Sequence, residues 1–409
     1  MMPSPDPAPA APEGAWLCST CGVANPVVTY PTACVGCGDP RDEPSINTKG
    51  VDGDASTSSA TVEVRPRLRD SLASVILGAT WLYAAAILVT LALIHWVGEA
   101  WWGVTVLLFV PRWAYLAPVV LLAVCSGILG RRSHWLKQGT VALVVAGPLM
   151  GFSLPVHRLW TKPPEGFRVR VLTYNRGALS LDGASFVEML ERERIDLICF
   201  QEGFTDTPEV ENFMNKGGWH RDSTGFVASR FPIVAEMPAL PDISTTEERY
   251  SSRLTRVRIR TEAGHEFVLA SIHLPTIRRG LERLMRRNIN GLELHIQWWA
   301  QELDRMVKGL SEAGNTPFIV AGDFNMPSDD SSMATLKTAM RFGFEESGIG
   351  YGYTRPTKYP WFRIDHILSS PEWVFTSCWV GEDCGSDHLP VLAELVLPGA
   401  SARDSGTPR

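Results

Sequence analysis

The chain has 409 residues, of which 45% are hydrophobic, 9% aromatic and 20% charged. These proportions exclude a wholly disordered chain and a disulfide-dense miniprotein, and the length accommodates two or three domains. The formal charge of −6 hides three unlike segments. Residues 1–64 hold 2 basic and 8 acidic side chains, residues 65–161 hold 8 and 2, and residues 162–409 hold 28 and 34. The middle segment is cationic at its edges and apolar inside, a combination that points to a membrane.

Residues 1–15 are rich in Pro and Ala, read as disordered, and contain no apolar run of the kind a cleavable signal needs. Cys18, Cys21, Cys34 and Cys37 follow with the spacing C-x2-C-x12-C-x2-C. Four thiolates so spaced close a tetrahedral Zn2+ site, and Gly22 and Gly38 stand where each knuckle must turn. Two disulfides are the alternative, disfavoured if this end of the chain is cytoplasmic and reducing. With Trp16, Asn25 and the Cys-Gly-Asp-Pro-Arg run ending at Arg41, the 16–40 segment resembles zinc ribbons and Ran-binding-type zinc fingers. The spacing from Asn25 to the next Cys is longer than such fingers usually have, so the resemblance carries over the metal site and no ligand; a small interaction module for a protein partner is the functional reading. Residues 41–64, rich in Asp, Ser, Thr and Gly, read as a flexible linker.

Residues 65–160 read as a transmembrane region. Ser71 to Gly98 is a run of 28 residues without Asp, Glu, Lys or Arg, longer than the roughly 20 that a helix needs to cross a bilayer core. Two further uncharged stretches, 113–130 and 138–157, are adequate spans bent by Pro118 and Pro148. The apolar stretch 100–111, with Trp101 and Trp102, is too short to cross and reads as interfacial or re-entrant. Three spans are thus expected rather than four. Arg65, Arg67 and Arg69 before the first span, and Arg131, Arg132 and Lys137 after the second, belong on the cytoplasmic side. The N-terminus is then cytoplasmic and the chain beyond Arg158 extracytoplasmic; an even number of crossings would reverse that.

From 162 to 397 the pattern changes to short β-rich runs separated by helical stretches, and the tail 398–409 reads as disordered. Strands are expected over 169–174, 197–201, 226–228, 256–260, 267–273, 318–322 and 364–368. The clearest helices are 186–194 and a long one over 283–310. No internal repeat is evident. Strands mixed with helices make this an α+β sandwich. Cys125, Cys199, Cys378 and Cys384 have no paired spacing and read as buried or incidental.

Six fragments of this region place a polar or acidic residue at the end of an apolar strand. They are Leu172-Thr-Tyr-Asn175, Cys199-Phe-Gln-Glu202, Ser271-Ile-His-Leu-Pro275, Ala321-Gly-Asp-Phe-Asn325, Ile364-Asp-His-Ile367 and Ser386-Asp-His388. Strand ends of a rigid sandwich are where side chains can converge on one mouth. Each fragment alone is weak, since an Asp after Gly usually forms a turn. Together, in this order, they resemble the endonuclease/exonuclease/phosphatase superfamily over residues 167–397. The runs Gly225-Phe-Val-Ala-Ser-Arg230 with Phe231-Pro232, and Gly352-Tyr-Thr-Arg-Pro356, extend the likeness. With Pro111-Arg-Trp113 and Gly147-Pro-Leu-Met-Gly-Phe152 in the apolar segment, the chain resembles a membrane-bound bacterial branch of that superfamily.

That resemblance implies a four-layer α/β/β/α sandwich and a Mg2+- or Mn2+-dependent phosphoesterase. It assigns Glu202, with Asn175 and Asp387, to the metal, whose hard character suits carboxylates and amides. Asp323 would activate water, Asn325 would hold it, and His273 and His388 would donate to the phosphate. Asp365 would orient His388 and raise its pKa. Arg278, Arg279 and Arg283, in a run of five arginines that ends at Arg287, are candidate substrate-binding residues for a phosphate-rich head group or anionic lipid. A solvated helix start with ion pairs accounts for them equally well. The expected activity is hydrolysis of a phosphate ester or pyrophosphate on a lipid or polyprenyl-phosphate head group, with membrane lipids as partners. An extracytoplasmic nuclease acting on DNA is the alternative, although a domain of net −6 attracts nucleic acid poorly. A non-catalytic zinc-ribbon membrane scaffold is a third reading.

Overall fold

The computed structural model describes residues 15–17, 24–26, 68–177, 181–202, 207–240 and 253–399. The chain divides into two compact units, Met1–Arg65 and Pro66–Arg409. In the first, β1 (Ala15–Leu17) and β2 (Ala24–Pro26) pair antiparallel, with Trp16 opposite Asn25. Cys18, Cys21, Cys34 and Cys37 lie outside the described residues, as do the linker and the tail beyond 399.

The second unit opens on α1 (Leu68–Ala92), which π and 3-10 turns carry on to Ala100. Residues 68–100 form, among the described residues, one helix long and apolar enough to cross a membrane. The stretch expected at an interface is α2 (Trp102–Phe109). After it the helical axis turns by 87° into a 3-10 turn and α3 (Ala117–Ile128). α4 (Ser133–Val144) continues through a π turn to Leu149. The expected third span, 138–157, overlaps α4 and its π turn as far as Leu149. Pro148 offers no N–H to a continuing helix, and the chain leaves helical geometry after Leu149.

α1, α3 and α4 are tied by Gln138, whose amide donates to Ser126 (2.9 Å) and Thr80 (3.3 Å). Trp81, Leu82, Leu121, Ile128, Leu136 and Leu143 on these helices stay exposed. At one end, Arg69 donates to the Leu129 carbonyl and Arg131 pairs with Asp70. The other end grips the sandwich: Arg112 donates to both carboxylate oxygens of Asp329 (2.7 and 2.8 Å), and the Ser331 hydroxyl accepts from the Glu99 N–H (3.1 Å).

The sandwich alternates strands with helices: β3 (Gly166–Asn175), α5 (Gly183–Arg192), β4 (Leu197–Gln201), α6 (Pro208–Lys216), β5 (His220–Arg221), β6 (Val227–Ser229), β7 (Ile233–Glu236), β8 (Arg253–Arg260), β9 (Glu266–His273), α7 (Arg278–Met285), α8 (Ile289–Ser311), β10 (Phe318–Asp323), β11 (Arg341–Phe342), β12 (Asp365–Ser369), β13 (Val374–Val380) and β14 (Val391–Pro398). One sheet runs β13-β14-β3-β4-β6-β5 and the other β11-β12-β10-β9-β8-β7. In each, a central pair is parallel, β3 with β4 and β9 with β10.

Alternate residues of the central strands meet between the sheets: Val169, Val171, Leu197 and Cys199 face Leu269, Ile319, Ala321 and Ile367. The outer face of one sheet is covered by α5 and α6, through Phe186, Met189, Leu190 and Met214. That of the other is covered by α8, through Trp299, Leu303 and Met306. Each such side chain contributes about 1.5–3 kcal/mol on burial. α5 begins where the Asp182 carboxylate accepts from the Ser185 N–H, capping its first turn. The single helix expected over 283–310 is in fact two. Arg287 takes a left-handed φ of 62°, and the Asn288 side chain caps α8 by accepting from Gly291 N–H.

Candidate active site

The strand periodicity that builds the inter-sheet core also builds the site. Continuing the inward-facing positions to the strand ends gives Thr173 and Asn175 on β3, Gln201 on β4, Ser271 and His273 on β9, Asp323 on β10 and Asp365 on β12. The apolar core gives way first to a polar layer: Thr173 donates to Gln201 (3.2 Å), which donates to Ser271 (3.1 Å). One residue pair further on, His273, Asp323 and Asp365 lie in a single row, each the register partner of the next. The row needs close strand approach, and the glycine before Asp323 permits it. A Cβ on Gly322 would stand 1.8 Å from the Ile272 carbonyl oxygen.

Asp323 is the hub. Its Oδ2 accepts from Asn175 Nδ2 (2.9 Å) and Asn325 Nδ2 (3.2 Å), and its Oδ1 accepts from the Asn325 backbone N–H (2.7 Å). The Nε2 atoms of His273 and His388 each lie 3.8 Å from Asp323 Oδ2. Glu202 joins from the other sheet, with Oε1 3.2 Å from Asn175 Nδ2 and 3.7 Å from His273 Nε2. The Asp323, His388 and Asp365 side chains are buried, whereas Glu202 is 41% and His273 27% exposed. The cluster thus has a dry floor and an open mouth. Glu202 and Asn325 both adopt left-handed φ angles, 60° and 52°. For Glu in particular this is a costly conformation of the kind that collects at working sites.

His388 Nδ1 bonds Asp365 Oδ2 at 2.9 Å, and Thr354 donates to the same oxygen at 2.6 Å. Burial alone would lower the His388 pKa, but Asp365 and Asp323 outweigh it and raise it to about 9. Burial and the neighbouring Asp365 carboxylate push Asp323 above the usual carboxylate range. His366, next along β12, faces the other way. Its Nε2 meets the Met326 carbonyl (2.9 Å), and burial with the nearby Arg363 guanidinium lowers its pKa to about 4. It is a neutral packing residue.

Asp323, Asp365 and His388 each bring a ligand atom within 4.8 Å of the others. The donor set fits a hard divalent cation in its oxygens. His388 Nδ1 is already engaged by Asp365, so the carboxylates left to a cation are Glu202 at the mouth and Asp323 on the floor. Asn175 donates its amide N–H to both of those carboxylates, and its carbonyl accepts from Gly177 N–H (2.9 Å). The Asn175 amide thus bridges the two carboxylates.

Asn175, Glu202, His273, Asp323, Asn325, Asp365 and His388, expected from the sequence, are brought together. Asp387, expected at the metal, instead pairs with Arg355 at 2.7 Å. Arg278, Arg279 and Arg283 lie on α7, which begins five residues after His273. There Arg278 pairs with Glu282 (2.9 Å) and Arg283 donates to the Gly291 carbonyl (3.3 Å). Sequence reasoning missed Gln201, Thr354, Ser386 and Arg355. Ser386 donates to the Asn175 carbonyl (2.7 Å) and so joins the two ends of the chain's catalytic region. Gln201 and Ser386 did carry a signal, as polar residues inside the fragments already singled out. Cys199, Cys378 and Cys384 are buried free thiols, as expected; burial pushes Cys378 up to about 12.

A two-sheet sandwich whose strand ends gather carboxylates, imidazoles and amides around one point is the frame of a phosphoester hydrolase. Residues 171–388 match the Endonuclease/Exonuclease/phosphatase family, and the chain belongs to it. It is accordingly a metal-dependent hydrolase acting on phosphoester bonds. Among solved structures it is similar to an endonuclease/exonuclease/phosphatase from Bacteroides vulgatus, with 16% identity over 56% of this chain and 99% of that one, TM-score 0.45. A mannosyl-6-phosphatase from Bacteroides thetaiotaomicron is 20% identical over 56% and 99%, TM-score 0.42. The catalytic domain of human Nocturnin with bound sulfate is 15% identical over 57% and 99%, TM-score 0.41. A comparison with curated proteins finds no match.

Proposed function

We propose that this chain is a membrane-anchored, Mg2+-dependent phosphoesterase that hydrolyses a phosphate ester or pyrophosphate on a lipid or polyprenyl-phosphate head group. One observation carries the reading: the loop that follows the Asp323–Asn325 hub is held directly by the apolar helices, through Arg112–Asp329 and Glu99–Ser331. A site fastened to the end of a helix long enough to span a bilayer suits a substrate presented at the bilayer surface.

Asp323 accepts the proton of the attacking water, its raised pKa making it a stronger base than a solvent-exposed carboxylate. Asn325 holds that water beside it. His388, protonated through Asp365, donates to a phosphoryl oxygen from the floor, and His273 donates from the mouth. Asn175 keeps Glu202 and Asp323 in register. Bound at Glu202, Mg2+ would offset the charge of the phosphoryl oxygens. Asp387 orders the Arg355 loop at the edge of the site.

In the same reading α1, α3 and α4 together form the anchor, with the N-terminus cytoplasmic and the catalytic region extracytoplasmic. Support comes from the exposed apolar side chains of all three helices and from the pairing of Arg69, Asp70 and Arg131 at the end away from the sandwich. A Zn2+-bearing ribbon at Cys18, Cys21, Cys34 and Cys37 would offer a protein-binding module on the cytoplasmic side.

The test is a substrate panel with the purified full chain in detergent: bis-p-nitrophenyl phosphate, plasmid DNA, sphingomyelin and undecaprenyl pyrophosphate, each with and without Mg2+. Metal-dependent phosphate release from the polyprenyl substrate is expected. Plasmid nicking with the lipid substrates untouched would replace this reading with the nuclease.

A further inference from the structure

The α7–α8 elbow has no role in the chemistry, yet its composition and position are those of a surface that touches something. Met285 through Asn290 are six consecutive exposed residues. Met285 is 85% exposed, and Leu294, one turn into α8, is 63% exposed. Arg286 and Arg287 stand between Met285 and Ile289 with no ion-pair partner among the described residues. The left-handed Arg287 and the Asn288 cap fix this knuckle as a defined corner rather than a loose loop. From Arg278 to Leu294 the segment carries five arginines against Glu282 and Glu293.

Its inner face settles where it sits. Ile277, Leu292 and Ile296 are buried with Leu281 and Leu284 against Trp102, Val106 and Phe109 of α2. α2 follows directly on the end of α1, where Trp96 and Trp101 are exposed and the Trp101 and Trp102 rings lie 6.1 Å apart. Exposed tryptophans at the end of an apolar helix mark the level of the bilayer interface. The helices on either side of the elbow pack against α2 at that level.

We infer that the Met285–Asn290 elbow is a lipid contact: Arg286 and Arg287 engage the phosphates of anionic headgroups, while Met285, Ile289 and Leu294 enter the boundary with the acyl chains. The inference rests on the membrane anchoring proposed above. Because α7 starts five residues after His273, a lipid-bound elbow holds the catalytic mouth at headgroup height.

The test uses the full chain in nanodiscs of phosphatidylcholine, alone or mixed with phosphatidylglycerol, read by hydrogen–deuterium exchange of peptides covering residues 284–294. Phosphatidylglycerol should slow exchange there by about 30-fold, a little over fivefold for each of the two arginines. In Arg286→Glu/Arg287→Glu the two lipid compositions should give equal exchange. Equal exchange in the wild type, or slowing that persists in the double variant, overturns the contact. Co-elution with the discs is scored separately. A chain that stays out of them overturns the anchor and the contact together, whereas one that enters with a lipid-indifferent elbow overturns the contact alone.

Discussion

Replacing Asp365 with Asn changes one charge and almost no volume, and so isolates what the carboxylate does for His388. In the wild type the imidazole, buried but flanked by Asp365 and Asp323, has its pKa raised to about 9. Without the Asp365 charge the pKa falls toward the ordinary 6.5 or below, since burial opposes protonation. At pH 8 the protonated fraction then drops from about 90% to about 3%, whereas at pH 6 it drops only from nearly all to about 75%. If His388 acts as the charged donor, Asp365→Asn should lose about 20-fold in kcat/KM at pH 8 beyond its loss at pH 6, which corresponds to about 2 kcal/mol. The assay is metal-dependent hydrolysis of whichever panel substrate turns over fastest, with the wild-type-to-variant ratio followed from pH 6 to pH 9. Using the ratio cancels limbs that belong to other groups. The sign is fixed: the penalty grows as pH rises. A ratio that stays flat across that range refutes the charged-donor role of His388.

Three further outcomes follow from the geometry. Gly322→Ala forces a Cβ into the Ile272 carbonyl, so thermal unfolding should register a loss of about 3 kcal/mol; an unchanged melting profile would show that the His273–Asp323–Asp365 row can spread. Asp329→Ala strands the Arg112 guanidinium, whose side chain is only 6% exposed, at a cost of about 3 kcal/mol. Arg112→Met/Asp329→Ala should recover most of that, and equal losses in the single and double variants would contradict a buried-charge penalty. Chelation should abolish hydrolysis and Mg2+ or Mn2+ should restore it; full activity after exhaustive chelation would remove the metal-assisted mechanism.

Asn175, His273, Asp323 and Asp365 were legible because each sits where a strand's inward-facing alternation runs past its apolar portion, a pattern visible in fragments such as Ala321-Gly-Asp-Phe-Asn325. Burial and register then turn those fragments into a row. Thr173, Gln201 and Ser271 stood inside those fragments, but their joining into one polar layer was not legible until two sheets close over them. β14 lies between β13 and β3 in its sheet, yet no strand was expected over Val391–Pro398. The break between α7 and α8 depends on one left-handed arginine and an Asn cap, signals too local to interrupt an apolar periodicity that continues on both sides. Pro148 was legible as a bend in the uncharged run 138–157; that helical geometry ends one residue later, at Leu149, was not.

The central claim is that Glu202 after β4 and His388 in the β13–β14 connection act on a single phosphoryl group. A double-mutant cycle in kcat/KM with Glu202→Gln and His388→Gln, assayed with Mg2+ on the same substrate, tests it most directly. Groups serving one transition state lose their effect together, so the double variant should be hardly slower than the slower single one. Losses that multiply in full would place the two residues in independent roles and contradict the account.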